Sequence, residues 1–126
     1  MLVNGLPPVI GATHFQEVAF VFDNVDGLGY ATNPFAGEPQ SHLDLARLMS
    51  NSWASFVHDL DPNSFRAVAP PASSGDNDTS VPAWPPYRNE EPLDIVWEAG
   101  TTHVEADTFR AEGMALINSF NLAYGR

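Results

Sequence analysis

The 126 residues include sixteen acidic and five basic side chains, for a formal net charge of −11, and 44% are hydrophobic, which suits one domain with a modest core. All five basic residues are arginine. Such an acidic surface repels phosphate backbones, so no nucleic-acid partner is expected. The absence of cysteine excludes a disulfide framework, a thiolate metal site and a cysteine nucleophile within the chain.

The start of the chain, residues 1–13, has the composition of an irregular segment. It contains Pro7, Pro8 and Gly11 and has neither a charged start nor an apolar stretch of signal length, so no signal peptide is expected here. No window approaches the roughly 18 apolar residues that would cross a bilayer, and no transmembrane segment is expected.

The segment from residue 17 to residue 39 predicts a short ordered turn followed by a long loop. Glu17 to Phe22 is short and apolar after its first residue, which fits either a helical turn or a buried strand, and we favour the helical turn. Residues 23–39 contain three glycines and two prolines and are expected to form a surface loop. Together with the start, they form a histidine loop, residues 1–39.

A long helix is predicted from about residue 41 to residue 60. Ser41 is its expected N-cap, with Asp44 in the place of the usual capping-box glutamate, and Pro62 lies just beyond its end. Apolar residues recur at spacings of three and four, which places them on one helix face. These residues are Leu45, Met49, Trp53, Phe56, Val57 and Leu60.

The second half of the chain predicts a loop, one strand and a terminal helix. Residues 61–92 contain seven prolines and are expected to be loop. Alternating apolar residues predict a strand from about 93 to 98 that ends at Gly100, and a last helix is expected from about 107 to 121. The apolar face of this helix would carry Phe109, Leu116, Ile117 and Phe120. Because a single strand cannot pair its own backbone groups, its partners are expected outside this chain.

His14 is the candidate for chemistry among the four histidines. It lies between a glycine-containing approach and an apolar run, where an imidazole can reach a pocket and exchange protons near neutral pH, although a lone loop histidine is more often structural. His42, His58 and His103 are placed at helix ends or in a polar turn and are expected to be solvated. No cysteine or nearby histidine forms a metal cluster with His14, and we expect neither a metal nor a cofactor.

The block from Gly11 to Phe22 resembles the segment around the catalytic histidine of type-B carboxylesterases, the cholinesterase/lipase group of α/β-hydrolases. The shared pattern is a glycine, two residues, a histidine, two residues, a glutamate and an apolar run that ends Phe-Val-Phe. The matching positions are Gly11, His14, Glu17, Phe20 and Phe22. In many members of the family a glycine follows the histidine, whereas this chain has Phe15, so the pocket beside the imidazole is expected to differ in shape.

Three later blocks resemble the same family in the same order. Residues 48–56 with the following Asp61-Pro62-Asn63 are similar to a late helix and its terminating turn. The sequence Trp84-Pro85-Pro86-Tyr87 is similar to the segment before a short strand and a terminal helix. Each block is weak alone, but together with the histidine block they cover nearly the whole chain in a consistent order.

The resemblance implies that the chain is the C-terminal part of an α/β-hydrolase that cleaves carboxylic esters with a serine, histidine and acid triad. His14 would be the triad histidine, and Glu17 would be a buried structural partner near it that takes no direct part in the reaction. The serine and the acid would lie upstream, in the missing N-terminal part of the hydrolase domain. We reject Ser73 as the nucleophile, because Pro71 stands where the nucleophile elbow has its first glycine and the flanks are loop.

The chain alone is expected to be inactive, since it lacks the nucleophile and its oxyanion donors. The alternative to a segment of an active esterase is a non-catalytic remnant or a cholinesterase-like interaction module. Asn77 heads an Asn-x-Thr sequon in the long loop and would be glycosylated if the complete protein is secreted, as many members of the family are.

Overall fold

The structure is a computed structural model, which describes residues 13–68, 81–120 and 123 of the chain. The described part contains four helices and one two-stranded sheet. In chain order these are α1 (Val18–Val21), α2 (Gln40–Asp59), α3 (Phe65–Val68), β1 (Leu93–Val96), β2 (His103–Ala106) and α4 (Ala111–Ser119).

The apolar core of the described residues lies where α1 and the loop after it pack on the first half of α2. Phe20 of α1 and Phe35 of the loop place their ring centroids 4.7 Å apart. Both rings are buried, although residues 23–39 were expected to run over the surface. The buried apolar side chains are Ala19, Phe20, Phe35, Leu45, Ala46 and Met49. The short helical turn expected within 17–22 is present as α1.

The long helix α2 begins one residue earlier than expected and without the expected cap. Its N-cap is Pro39, whose carbonyl accepts a hydrogen bond from the amide of His42 at 3.0 Å, and no side chain caps this end. The prediction that Ser41 is the N-cap is therefore wrong. At the other end Leu60 has φ +60°, and its amide donates to the carbonyl of Phe56 at 2.9 Å, which ends the helix.

Only the first half of the predicted apolar face of α2 is buried in this chain. Leu45 and Met49 are in the core, whereas the apolar residues of the last turns are exposed. The exposed residues are Phe56, Val57 and Leu60. Two serines, Ser52 and Ser55, are buried instead. The periodicity was correct for a helix, but no described segment covers Phe56, Val57 and Leu60 at the end of the face.

The predicted strand has a partner within the chain, so the prediction of one lone strand is wrong. β1 and β2 form an antiparallel hairpin in which Ile95 lies opposite Val104 and Leu93 lies opposite Ala106. Gly100, with φ +80°, lies in the connection between them. His103, which was expected in a polar turn, is the first residue of β2. Buried and exposed side chains alternate only weakly in β2, because Val104 is the one residue of its four that is half-buried.

The terminal helix is shorter than expected and fully exposed. It begins at Ala111 rather than near Asp107, because Arg110 takes φ +56°, which is incompatible with a continuous helix before it. Its apolar side chains, including Leu116 and Ile117, remain largely exposed. Asp107 instead accepts a hydrogen bond from the hydroxyl of Tyr87 at 2.9 Å.

The proline-rich region from 61 to 92 contains more structure than a simple loop, in the parts that the structure describes. α3 lies within it. Asn63 holds the later segment in place, since its side chain accepts from the amide of Trp84 at 2.8 Å and donates to the carbonyl of Trp84 at 3.0 Å. The guanidinium of Arg66 donates to the carbonyls of Val81 and Pro82 at 3.1 and 3.0 Å. Trp84 then packs against Trp53 and Trp97.

Candidate active-site histidine

His14 lies in a tight turn directly before α1. The amide of Gln16 donates to the carbonyl of Thr13 at 3.3 Å, and the side-chain oxygen of Gln16 accepts from the amide of Thr13 at 3.0 Å. These two bonds fix the backbone on both sides of the histidine. The His14 side chain itself is exposed. Among the described residues its imidazole makes no hydrogen bond, so both ring nitrogens are available to groups outside them.

Phe15 adopts a backbone conformation that favours glycine. Its φ is +76°, in the left-handed region, where an L side chain crowds the following carbonyl at a cost of about 1–2 kcal/mol. The carboxylesterases that the sequence resembles often have glycine at this place, next to the histidine. Here a phenylalanine stands in its place with 58% of its surface exposed. That this departure alters the pocket beside the imidazole remains a prediction.

An open apolar groove with a volume of 460 Å³ starts at Phe15. Its wall includes Phe22 and Leu28, which are largely exposed, and the half-buried Tyr30. The ring centroid of Phe15 is 6.4 Å from that of the His14 imidazole. The groove therefore begins at the residue after the histidine, and His14 itself does not line it. The sequence did not predict it, since the groove depends on how the loop after α1 folds back.

Glu17 does not show the burial that was expected of it. Its side chain is exposed in this chain, while its backbone carbonyl accepts hydrogen bonds from the amides of Phe20 and Val21 at 3.0 and 2.9 Å. Any burial of the Glu17 carboxylate would require a segment that packs over the start of α1. The supporting role of Glu17 beside His14 therefore remains a prediction.

A second group of serine, aspartate and histidine side chains occurs at the end of α2, but its order is wrong for catalysis. Asp59 accepts a hydrogen bond from the hydroxyl of Ser64 and contacts His58 Nδ1 at 2.6 Å. In a catalytic triad the histidine must lie between the serine and the acid in order to take the serine proton. Here the acid lies between them. Hydrogen bonds first from Ser64 and then from His58 lower the pKa of the Asp59 carboxyl, and the group lies where α2 ends.

The remaining histidines differ in exposure. His58 has 85% of its side chain exposed, and His103 is also exposed, as expected for solvated residues. The expectation was wrong for His42, whose side chain is only 13% exposed. It packs near the ring of Phe20, and its Nε2 lies 3.6 Å from a carboxylate oxygen of Glu38. His42 is thus part of the packing around α1 and α2.

Two carboxylates lie together at the open end of the hairpin. Partial desolvation and then the nearby charge of Asp107 raise the pKa of Asp94, and Glu105 across the hairpin adds to the effect. The hydrogen bond to Asp107 raises the pKa of Tyr87. No group of three or more metal-ligating side chains with suitable geometry is found among the described residues, so these acids do not form a recognisable metal site.

Several expectations fall outside the described residues. Ser73 and the sequon asparagine Asn77 lie between residues 69 and 80, which the structure does not describe. Gly11, the first residue of the histidine block, lies before residue 13. Of the helices in the described part of the chain, none is long and apolar enough to cross a membrane.

The helices and the small sheet of the described residues match a partial α/β fold, and comparison with solved structures supports a distant relation to esterases. The solved structure that shows this is the crystal structure of a carboxylesterase from Geobacillus stearothermophilus at pH 6.2. The match has a TM-score of 0.59 and 33% sequence identity, and it covers 87% of this chain and 20% of the carboxylesterase. The chain thus spans about a fifth of the length of that enzyme. No family model matches the chain, and no curated protein sequence matches it significantly.

Proposed function

We propose that this chain is the C-terminal, histidine-bearing segment of a type-B carboxylesterase and that His14 is its catalytic base. The observation that carries the proposal is the carboxylesterase match of 33% identity over 87% of the chain. The histidine block from Gly11 to Phe22 supports the same family, and the exposed imidazole of His14 suits a residue whose partners lie on another segment.

In the complete enzyme His14 would take the proton of a serine hydroxyl while the serine attacks the ester carbonyl. The same imidazole would then donate that proton to the departing alcohol. A carboxylate bonded to the other ring nitrogen would hold the tautomer, and backbone amides would stabilise the oxyanion. The serine, the acid and the amides would come from the part of the hydrolase domain that this chain lacks.

The surface of the chain offers places for that larger part to pack. The exposed end of α2, with Phe56 and Val57, and the exposed face of α4, with Leu116 and Ile117, are apolar. Uncovered apolar surface of this extent is typical of a face that is buried in an assembly. We therefore propose the N-terminal part of a hydrolase domain as the partner of this chain and a carboxylic ester as the substrate of the complete protein.

A chimera tests the proposal. This chain replaces the segment of the Geobacillus stearothermophilus carboxylesterase that it matches, and hydrolysis of a short-chain nitrophenyl ester is measured. We expect the 126-residue chain alone to be inactive and the chimera to be active. His14→Ala should reduce kcat by ~10⁴-fold or more, as for loss of a triad member.

His58→Ala is the matched control, because His58 is also an exposed histidine but lies at the end of α2. It should leave the activity of the chimera unchanged. If the chimera folds, binds a serine-directed inhibitor and yet loses nothing on His14→Ala, the catalytic assignment is wrong. The alternative of a non-catalytic remnant or interaction module would then be preferred.

A further inference from the structure

We infer that Gln16 is the positioning residue of His14, because its side chain holds the turn that carries the imidazole in a strained conformation. The consequence for catalysis rests on the proposed function, whereas the conformation of the turn can be tested in the chain alone. Gln16 acts through the backbone of the turn and takes no part in proton transfer.

The four residues from Thr13 to Gln16 form a type II turn. The amide of Gln16 donates to the carbonyl of Thr13 at 3.3 Å, which closes the turn. The third residue, Phe15, has φ +76°, whereas His14 is not among the residues with a positive φ. A positive φ at the third residue alone is the mark of a type II turn, in which glycine is the usual residue.

Phenylalanine at this place strains the turn, because its Cβ crowds the following carbonyl. A type I turn of the same four residues would avoid the strain, with the peptide group between His14 and Phe15 turned over. The side chain of Phe15 is 58% exposed, so burial within this chain offsets little of the cost. A strained residue of this kind persists only where the contacts around it over-determine its conformation.

The side chain of Gln16 supplies the second link across the turn. Its Oε1 accepts a hydrogen bond from the amide of Thr13 at 3.0 Å, so both backbone polar groups of Thr13 are bonded to Gln16. This bond is one half of a Thr-x-x-Gln capping box, in which the fourth residue reaches back to the amide of the first. On the other side, the carbonyl of Phe15 accepts from the amide of Val18 at 3.4 Å. Gln16 thus makes two of the bonds that fix the turn before α1.

The side-chain amide of Gln16 has only one suitable orientation. Its oxygen alone can accept from the Thr13 amide, so Nε2 is turned away from that bond. Among the described residues Nε2 is buried without a hydrogen-bond partner, which is unfavourable for a donor. The bond to Thr13 is kept in spite of this cost, which supports a role for Gln16 in holding the turn.

The orientation of the imidazole depends on this turn. His14 is its second residue, and the peptide group that would turn over is the one directly after it. Proton transfer requires the two heavy atoms to lie within about 2.6–3.2 Å, and a displacement of about 1 Å can cost about 100-fold in rate. The direction from which His14 approaches a serine is therefore set by the turn that Gln16 holds.

The first test is NMR of the full 126-residue chain. A positive φ brings the amide proton of a residue close to its own Hα, so Phe15 should show a strong NOE between them. We expect this signal in the unsubstituted chain and in Gln16→Glu, which keeps an oxygen for the Thr13 amide. It should be lost in Gln16→Met, which has a similar length but no strong acceptor.

Gln40→Met is the matched control for this test. Gln40 also makes one side-chain hydrogen bond, to Asp44 at 2.9 Å, but it lies at the start of α2. The Phe15 signal should be unchanged in this variant. Persistence of the signal in Gln16→Met, or its absence from the unsubstituted chain, would overturn the inference.

The second test measures kcat and KM of the chimera, with each variant at the plateau of its own pH profile. We expect Gln16→Met to lower kcat by about 10-fold, the scale of the strain that is no longer held, with little change in KM. Gln16→Glu should restore most of the loss, and Gln40→Met should leave kcat unchanged. In a Phe15→Gly background, where a positive φ carries no Cβ penalty, Gln16→Met should cost less than about 3-fold. Equal losses in the two backgrounds would show that Gln16 does not act on a strained turn.

The two tests separate failure of this inference from failure of the proposed function. If the chimera hydrolyses no ester, the proposed function fails, and the NMR comparison alone decides whether Gln16 holds the turn. If the chimera is active and Gln16→Met behaves like Gln40→Met, the inference is wrong while the assignment of His14 stands.

Discussion

The ring of Phe35 packs against the ring of Phe20 with centroids 4.7 Å apart and planes inclined at 58°. This contact joins the loop before α2 to α1, and α1 directly follows the turn that carries His14. Both side chains are at most 5% exposed. The position of the histidine turn therefore depends on a contact between residues fifteen positions apart in the sequence.

Replacing Phe35 with alanine should loosen α1 and the histidine turn. Removal of a buried phenylalanine costs about 3–5 kcal/mol, because both transfer energy and cavity contribute. We expect hydrogen-exchange protection of the α1 and α2 amides to fall at least ~100-fold. Phe56→Ala, a change at a ring that is 53% exposed, is the control and should alter protection little. Equal losses in the two variants would show that the Phe20 and Phe35 contact does not support this region.

Gly27 and Gly29 provide a matched pair in the same loop. Both have positive φ, of +66° and +83°. A Cβ on Gly27 would lie 2.7 Å from the Cα of Asn33, whereas a Cβ on Gly29 would meet nothing within 4 Å. Gly29→Ala should therefore cost only the backbone strain, roughly 1 kcal/mol.

Gly27→Ala should cost clearly more than Gly29→Ala, because the clash displaces Asn33. The Asn33 side chain donates to the carbonyl of Val25 at 3.0 Å and accepts from the amide of Phe35 at 2.8 Å. Urea titration of NMR signals from the loop and α1 would measure the difference. A cost no greater than that of Gly29→Ala would mean that the close approach to Asn33 is absent in solution.

The backbone at Phe15 allows a stability test that is independent of catalysis. We expect Phe15→Gly to be more stable than Phe15→Ala by about 1 kcal/mol, because only glycine adopts φ +76° without a Cβ penalty. The order should reverse at Leu116, an exposed position in α4, where glycine is about 1 kcal/mol worse than alanine. Exchange protection of the α1 amides would show the order at Phe15, and helical circular dichroism would show the order at Leu116. Alanine more stable at both sites would contradict a left-handed Phe15.

The carboxylates at the hairpin predict a pH dependence with a defined sign. The fold raises the pKa of Asp94, chiefly by desolvation and by Asp107. The folded state therefore favours the protonated Asp94 carboxyl. The resulting stabilisation is complete below the ordinary aspartate pKa of 3.8. It is lost as the pH rises through the raised pKa of the folded state. We expect the hairpin to be less resistant to urea at pH 7 than at pH 3.

Asp94→Asn should remove this pH dependence and stabilise the hairpin at pH 7. The control is Asp26→Asn, which neutralises an exposed carboxylate in the loop between α1 and α2. NMR signals of the facing residues Ile95 and Val104 would report the hairpin in both variants. If Asp94→Asn lowers resistance to urea at pH 7, the repulsion assigned to Asp94 and Asp107 is wrong.

The sequence predicted the elements whose local pattern was strong. The spacing of Leu45, Met49 and Trp53 located α2 to within one residue at each end. The sequence did not predict β2, because polar residues flank Val104 and the strand pattern is weak. The strand is held instead by its pairing with β1. The start of α4 was misplaced because the backbone of Arg110, which no local signal marks, takes φ +56°.

The candidate site was predictable only in part. His14 was predicted from the residues around it, and its catalytic role stays a prediction; the resemblance to an esterase segment has support in the carboxylesterase match. The groove was not found, because its wall combines Phe15 and Phe22 from the histidine block with Leu28 and Tyr30 from the loop. Contacts of this kind depend on left-handed residues and side-chain hydrogen bonds in the loop, which hydrophobic periodicity does not reveal.

The last prediction concerns the chain as an isolated folding unit. Among the described residues six apolar side chains form the buried core, and all of them come from α1, α2 and the loop between these helices. Many large apolar residues elsewhere are exposed. They include Phe109, Met114, Leu116, Ile117 and Phe120 around α4. Burial of one such side chain contributes about 1.5–3 kcal/mol, so several uncovered ones forfeit an amount comparable to the roughly 5–15 kcal/mol that stabilises a typical domain.

We therefore expect the isolated chain to bind a hydrophobic dye strongly and to melt over a broad temperature range. Hydrogen-exchange protection should be confined to α1 and α2, since the core lies there, and should be minimal in α4. The net charge of −11 should keep the chain in solution during these measurements. Addition of the N-terminal part of a hydrolase domain should reduce dye binding and extend protection to α4. A sharp cooperative melt of the monomer with little dye binding would show instead that the chain is a complete domain, and the case for a separate catalytic segment would lose its physical basis.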